Sequence, residues 1–138
     1  MMTRLDQIAR QLEARWSNDP AYPSCMKILK FIAQNEPQKS AMLTYQDVAQ
    51  IVGDPRFSDE TERALTLLTS RFRVLALHFV FIDDEGERHY LDDDEASAFV
   101  QEGTYADPES GREIADPAAH LFPYYQARAD ELLQEVGT

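Results

Sequence analysis

Leu43-Thr44-Tyr45-Gln46-Asp47-Val48-Ala49-Gln50-Ile51-Val52-Gly53 carries the signals of a short, well-bounded helix. The Thr44 hydroxyl can cap its first turn, and an acid three residues on, Asp47, can reach back to the cap in a capping box. Val48, Ile51 and Val52 recur at the spacing of a single buried stripe. Gly53 stands where a left-handed C-terminal cap is wanted, and Pro55 just beyond bars continuation. On the upstream side, Ala41-Met42-Leu43 is a short apolar piece. On the downstream side, Ser58-Asp59-Glu60-Thr61-Glu62 opens another helix with acids at the positive end of its dipole, and Leu65, Leu68 and Phe72 continue that helix's apolar stripe to about residue 72.

Further upstream, Leu5, Ile8, Leu12 and Trp16 predict an amphipathic helix over about Thr3–Trp16, stopped by Ser17-Asn18-Asp19-Pro20 and Pro23. Ser24 can cap a second helix that runs to Asn35. Met26, Ile28, Leu29, Phe31 and Ile32 make it apolar over much of its circumference, as a central core helix is. Downstream the period becomes extended. Val74–Ile82 is rich in β-branched and aromatic residues, Asp83-Asp84-Glu85-Gly86-Glu87 supplies turn chemistry, and Arg88–Leu91 returns, which predicts a β-hairpin. Asp92, Asp93 or Asp94 can cap a helix that Gly103 closes. Asp107-Pro108-Glu109-Ser110-Gly111 can join a small hairpin of Thr104–Ala106 with Arg112–Ile114. Asp116-Pro117 is a cap with proline in the first turn, and after Phe122-Pro123 a last helix is expected to carry Tyr124, Leu132, Leu133 and Val136.

The central order is helix (Ser24–Asn35), short extended piece (Ala41–Leu43), helix (Tyr45–Val52), helix (Asp59–Phe72) and hairpin (Val74–Leu91). This order resembles a winged helix-turn-helix domain over about half the chain. The resemblance implies an α+β, mostly helical fold with the hairpin as wing and added N- and C-terminal helices. One domain over 1–138 is expected, with the winged-helix-like centre at about 24–91 and a hairpin-and-helix extension at about 103–138; 138 residues suffice for one sizeable core.

If the family's binding mode carried over, the exposed face of the Asp59–Phe72 helix would enter the major groove of DNA and the turn at Gly86 would approach the backbone. Yet those two elements present Asp59, Glu60 and Glu62, and Asp83, Asp84, Glu85 and Glu87. Affinity for DNA comes mainly from neutralising phosphates, and only Arg63, Arg71, Arg73 and Arg88 could do so here. The charge is also uneven. Residues 1–57 carry net +1, residues 58–138 net −13, and the whole chain −12. Such a field repels phosphate backbones and anionic membrane surfaces and favours basic protein surfaces.

Candidate chemistry is sparse. Cys25 is the single cysteine, which excludes an intramolecular disulfide and a cysteine-based zinc site and suits a reducing, cytoplasmic location. No signal-peptide core and no run near ~18 apolar residues is present. His78 and His89 could in principle share a metal across the hairpin, but third and fourth ligands at fixed spacing are lacking; these histidines and His120 read as structural. The acid runs lack the alternating ligands of a calcium loop, and no phosphate-cradling glycine spacing occurs. No catalytic site, cofactor or metal is therefore expected. Tyr105, Tyr124 and Tyr125, with Phe122, form an aromatic group that either packs or offers partner anchors within an acidic rim.

These readings converge on a non-catalytic protein-interaction or adaptor protein that binds a basic protein surface through Asp59, Glu60, Glu62, Asp83, Asp84, Glu85 and Glu87. One alternative is a dimeric DNA-binding transcriptional regulator, paired through Arg4–Trp16 and the last helix; another is an acidic DNA mimic. The apolar stripe of the first helix must in any case dimerise or cover the core.

Overall fold

A computed structural model describes residues 2–136. The helices are α1 (Arg4–Trp16), α2 (Tyr22–Gln34), α3 (Tyr45–Val52), α4 (Asp59–Thr66), α5 (Asp93–Glu102) and α6 (Ala129–Leu132). The strands are β1 (Leu75–Ile82), β2 (Arg88–Tyr90) and β3 (Leu121–Ala127). The fold is α+β with a winged-helix-like element order. Its three-stranded sheet runs in the order β2-β1-β3. No described helix is long and apolar enough to cross a membrane.

Three helices begin in reciprocal capping boxes. Thr3 and Asp6 open α1, Thr44 and Asp47 open α3, and Asp92 and Glu95 open α5. At α3 the Thr44 hydroxyl accepts from the Asp47 amide at 3.2 Å while the Asp47 carboxylate accepts from the Thr44 amide at 3.0 Å. Gly53, at φ +72°, closes α3 in the left-handed region that glycine enters without cost. Two boundaries differ from expectation. Helix α2 starts at Tyr22, because Pro23 sits in its first turn, where no amide hydrogen is needed, instead of breaking the chain ahead of Ser24. Helix α4 does not run evenly to residue 72 but turns π-helical over Leu67–Arg71, with the Phe72 amide donating to the Leu67 carbonyl at 3.0 Å.

The segment after Pro117 is the main correction. Leu121–Ala127 is a strand rather than the start of a last helix, which shrinks to Ala129–Leu132. The residues explain it. Leu121, Tyr125 and Ala127 are buried while Phe122 and Gln126 are exposed, a period of two, and aromatic side chains fit a pleated surface better than a helix.

The chain, expected to form one domain, divides into two compact units, Met1–Leu77 with Tyr125–Thr138, and His78–Tyr124; the division falls within β1 and β3. The first unit buries Ile8, Leu12, Ile28, Ile32, Val48, Leu68 and Leu132 completely. The stripe of α1 is therefore spent on the chain's own core, which removes it as a reason to dimerise. Leu43 and Tyr125 exchange two backbone hydrogen bonds, at 2.7 and 2.8 Å, and the Arg128 amide donates to the Val74 carbonyl at 3.0 Å. Thr3 bridges Glu135.

In the second unit β1 and β2 pair antiparallel, with Val80 opposite Tyr90, Phe81 opposite His89 and Ile82 opposite Arg88. Phe81, Leu91, Tyr105 and Leu121 form a separate apolar cluster against which Phe79, Phe99 and Ile114 pack. The small hairpin predicted around Asp107–Gly111 is present as an Ala106–Glu113 bridge, with Gly111 at φ +72°.

Because Leu12 is fully buried, Leu12→Ala should cost about 2–5 kcal/mol in urea unfolding. Leu133→Ala, at a side chain that is exposed, should stay within about 0.5 kcal/mol.

Candidate functional site

The turn between α3 and α4 is organised by one carboxylate. Asp54 accepts from the Ser58 amide at 2.8 Å, the Ser58 hydroxyl at 2.5 Å and the hydroxyl of buried Thr61 at 2.7 Å. These donors hold the Asp54 carboxyl down to about 2, the Ser58 and Thr61 hydroxyls contributing most. Ser58 therefore gives its hydroxyl hydrogen to Asp54 and does not cap α4 with its own side chain. The Phe57 amide donates to the Asp54 carbonyl at 3.1 Å, and Phe57 is held at φ +51°, a region that bulky residues enter at a cost of about 1–3 kcal/mol.

That backbone sets the Phe57 ring edge-on to Tyr45 at 5.1 Å between centroids, and Tyr45 in turn lies 6.0 Å from Tyr125. Tyr45 is still 46% exposed. Beside it runs an open groove of about 790 Å³, lined by Tyr45, Gln46, Ala49, Gln50, Gly53, Pro55, Phe57 and Glu62. Glu62 is its single carboxylate, and its lining includes no histidine, cysteine or serine. Such a surface can take an apolar or aromatic side chain and pair an adjoining cation, but it holds no nucleophile with a base.

The predicted site residues fall into distinct groups. Asp59, Glu60 and Glu62 are exposed on the first turn of α4 in the first unit. In the second unit Asp84, Glu85 and Glu87 are exposed and Asp83 is half-buried in the hairpin turn. Tyr105, 4% exposed, and Tyr125, 8% exposed, lie in the two apolar cores, where burial raises both phenols; they are not available as anchors. Tyr124 is half-buried between His78, at 5.4 Å, and Tyr90, at 6.2 Å. The exposed aromatics are instead Tyr45, Tyr90 at 54% and Phe122 at 48%.

The arginines offered for DNA are partly committed. Arg63 grips Asp19 through Nε and Nη2 at 2.6–3.0 Å, which holds the Asp19 carboxyl below its usual range. Arg71 lies over the rings of Trp16, at 5.8 Å, and Phe72, at 5.7 Å. Arg73, at φ +54°, and Arg88 on β2 are exposed. Cys25 is buried against the Ala64 carbonyl, and desolvation pushes its thiol up to about 12, the opposite of the shift a reactive thiolate needs.

His78 and His89 are not cross-strand neighbours, since Phe81 stands opposite His89. The hairpin turn instead brings His89 together with Asp83 and Glu87, whose ligand atoms all lie within 4.8 Å of one another. Backbone amides, that of Glu87 foremost, hold the Asp83 carboxyl below its ordinary range. In comparison with known proteins, no family model, no curated protein and no solved structure matches this chain.

Asp54 supplies the pH-sensitive part of this region. Its folded value lies below the ~3.9 of an unfolded aspartate, so its contribution is complete above that value and is lost as pH falls through about 2. Asp54→Asn should lower the thermal midpoint at pH 7, and the gap to the native chain should close as scans are taken from about pH 5 to about pH 2.

Proposed function

We propose that this chain is a non-catalytic, winged-helix-like interaction module that binds a basic protein segment carrying an aromatic or apolar anchor. The observation that carries this reading is the exposed acidic start of α4 beside the groove of Tyr45 and Phe57. Glu62 belongs to both, and among the described residues none of Asp59, Glu60 and Glu62 has a lysine or arginine within ion-pair distance. The anchor supplies affinity through burial against Tyr45 and Phe57, and the acids supply attraction and orientation. Reading DNA is the weaker alternative, because the same acids face the phosphates and Arg63 and Arg71 are already engaged.

Fluorescence anisotropy can separate the two. A labelled peptide alternating Arg or Lys with Trp should bind, and bind more weakly as salt rises. Tyr45→Ala should weaken it at least about fivefold, and Glu62→Lys should mainly slow association. Duplex DNA should show only a weak background. Submicromolar, salt-sensitive binding of duplex DNA, with peptide binding indifferent to both substitutions, would reverse the assignment.

A further inference from the structure

We propose that Asp83, Glu87 and His89 form a binding site for a divalent transition-metal cation, with zinc the ion their donors suit best. The site lies wholly within the β1–β2 hairpin and is independent of the peptide-binding reading. His89 Nε2 and Asp83 Oδ2 stand 3.4 Å apart. That is long for a hydrogen bond, yet two ligands each about 2.1 Å from a tetrahedral zinc are themselves separated by about 3.4 Å. These two donors are thus already spaced for a shared cation. Glu87, whose carboxylate lies within 4.8 Å of both, is exposed and can close on the ion by rotating its side chain, without moving the backbone.

The supporting contacts are in place as well. Asp83 Oδ1 accepts from the amides of Glu85 and Glu87, both at 2.9 Å, which turns the other oxygen, Oδ2, toward His89. The imidazole is backed by Phe81, opposite it in the ladder, with ring centroids 6.0 Å apart. Groups that hold a ligand's orientation in this way are what tune a metal site. Charge acts in the same direction. Four carboxylates crowd the five residues Asp83–Glu87, and among the described residues their single ion pair is with His89 itself. A dication relieves that repulsion. The imidazole selects against magnesium and calcium, which prefer oxygen alone, and three protein ligands leave coordination positions for water.

The test is calorimetric titration of the metal-free protein with zinc chloride, with magnesium chloride as control, followed by cobalt absorption to read the coordination. One saturable zinc site is expected. His89→Ala and Glu87→Gln should each weaken it at least about tenfold, since each removes a ligand. His78→Ala and Asp84→Asn, which change a neighbouring histidine and a neighbouring acid, should shift it by no more than about threefold. Both ligand positions lie on the hairpin outside the apolar cluster, and circular dichroism checks that the variants remain folded. The proposal is overturned by an absence of zinc binding, by magnesium binding of equal strength, or by zinc binding that survives His89→Ala and Glu87→Gln unchanged.

Discussion

The two backbone hydrogen bonds exchanged by Leu43 and Tyr125 fix much of the first unit. Leu43 is the residue before the Thr44 cap, so clamping it sets the entry of α3. Tyr125 places its ring against Tyr45, and Tyr45 against Phe57, so the floor of the groove follows from the same pairing. Closing so long a connection carries an entropic cost, but one that grows only logarithmically with length. Burial of Tyr125, Ala127 and Leu132 in the same core helps to offset it.

What the sequence revealed depended on whether a signal was local. The α3 capping box, its glycine cap and the β1–β2 hairpin rest on residues a few positions apart, and they appear where expected. Helix α2 starts ahead of Ser24 because proline, which breaks a helix interior, suits a first turn. Strand β3 is not legible locally because its partners, Leu43 and β1, lie far off in sequence, and Pro123 and neighbouring aromatics obscure its alternation. Of the site residues, the acids of α4 and, Asp83 apart, those of the hairpin were legible as exposed helix-start and turn groups. Tyr105 and Tyr125 were not separable from Tyr90 or Phe122, because a tyrosine's exposure is set by tertiary packing. The convergence of Asp83, Glu87 and His89 needed the hairpin register, which composition does not give.

The acidity sorts into two kinds. Asp6, Asp47, Asp54, Asp83, Asp92, Glu95 and Asp107 each accept a backbone amide and so complete a cap or a turn. The carboxylates of Asp59, Glu60, Glu62, Asp84 and Glu85 accept no hydrogen bond among the described residues, the Thr66 hydroxyl donating to the backbone carbonyl of Glu62 instead. The first kind stabilises local structure and would be present in any well-capped fold. The second kind contributes little to stability and leaves charge turned to solvent, where a cationic partner can meet it.

The first unit is discontinuous in sequence, whereas the second is a single stretch, His78–Tyr124. During synthesis every residue of the second unit is joined to the chain before Ala127 and Leu132, which the first core needs. The inner stretch is therefore complete in the chain before the last segment of the first core is added. The bonds from the Arg4 amide to the Gln134 carbonyl and from the Val136 amide to the Met2 carbonyl, 3.1 and 3.0 Å, bring the two outer segments together. A circularly permuted chain that joins residue 136 to residue 2 and opens in the 83–87 turn would place β3, α6 and α1 in one continuous run. It would reverse this order of assembly while leaving the contacts of the first core intact.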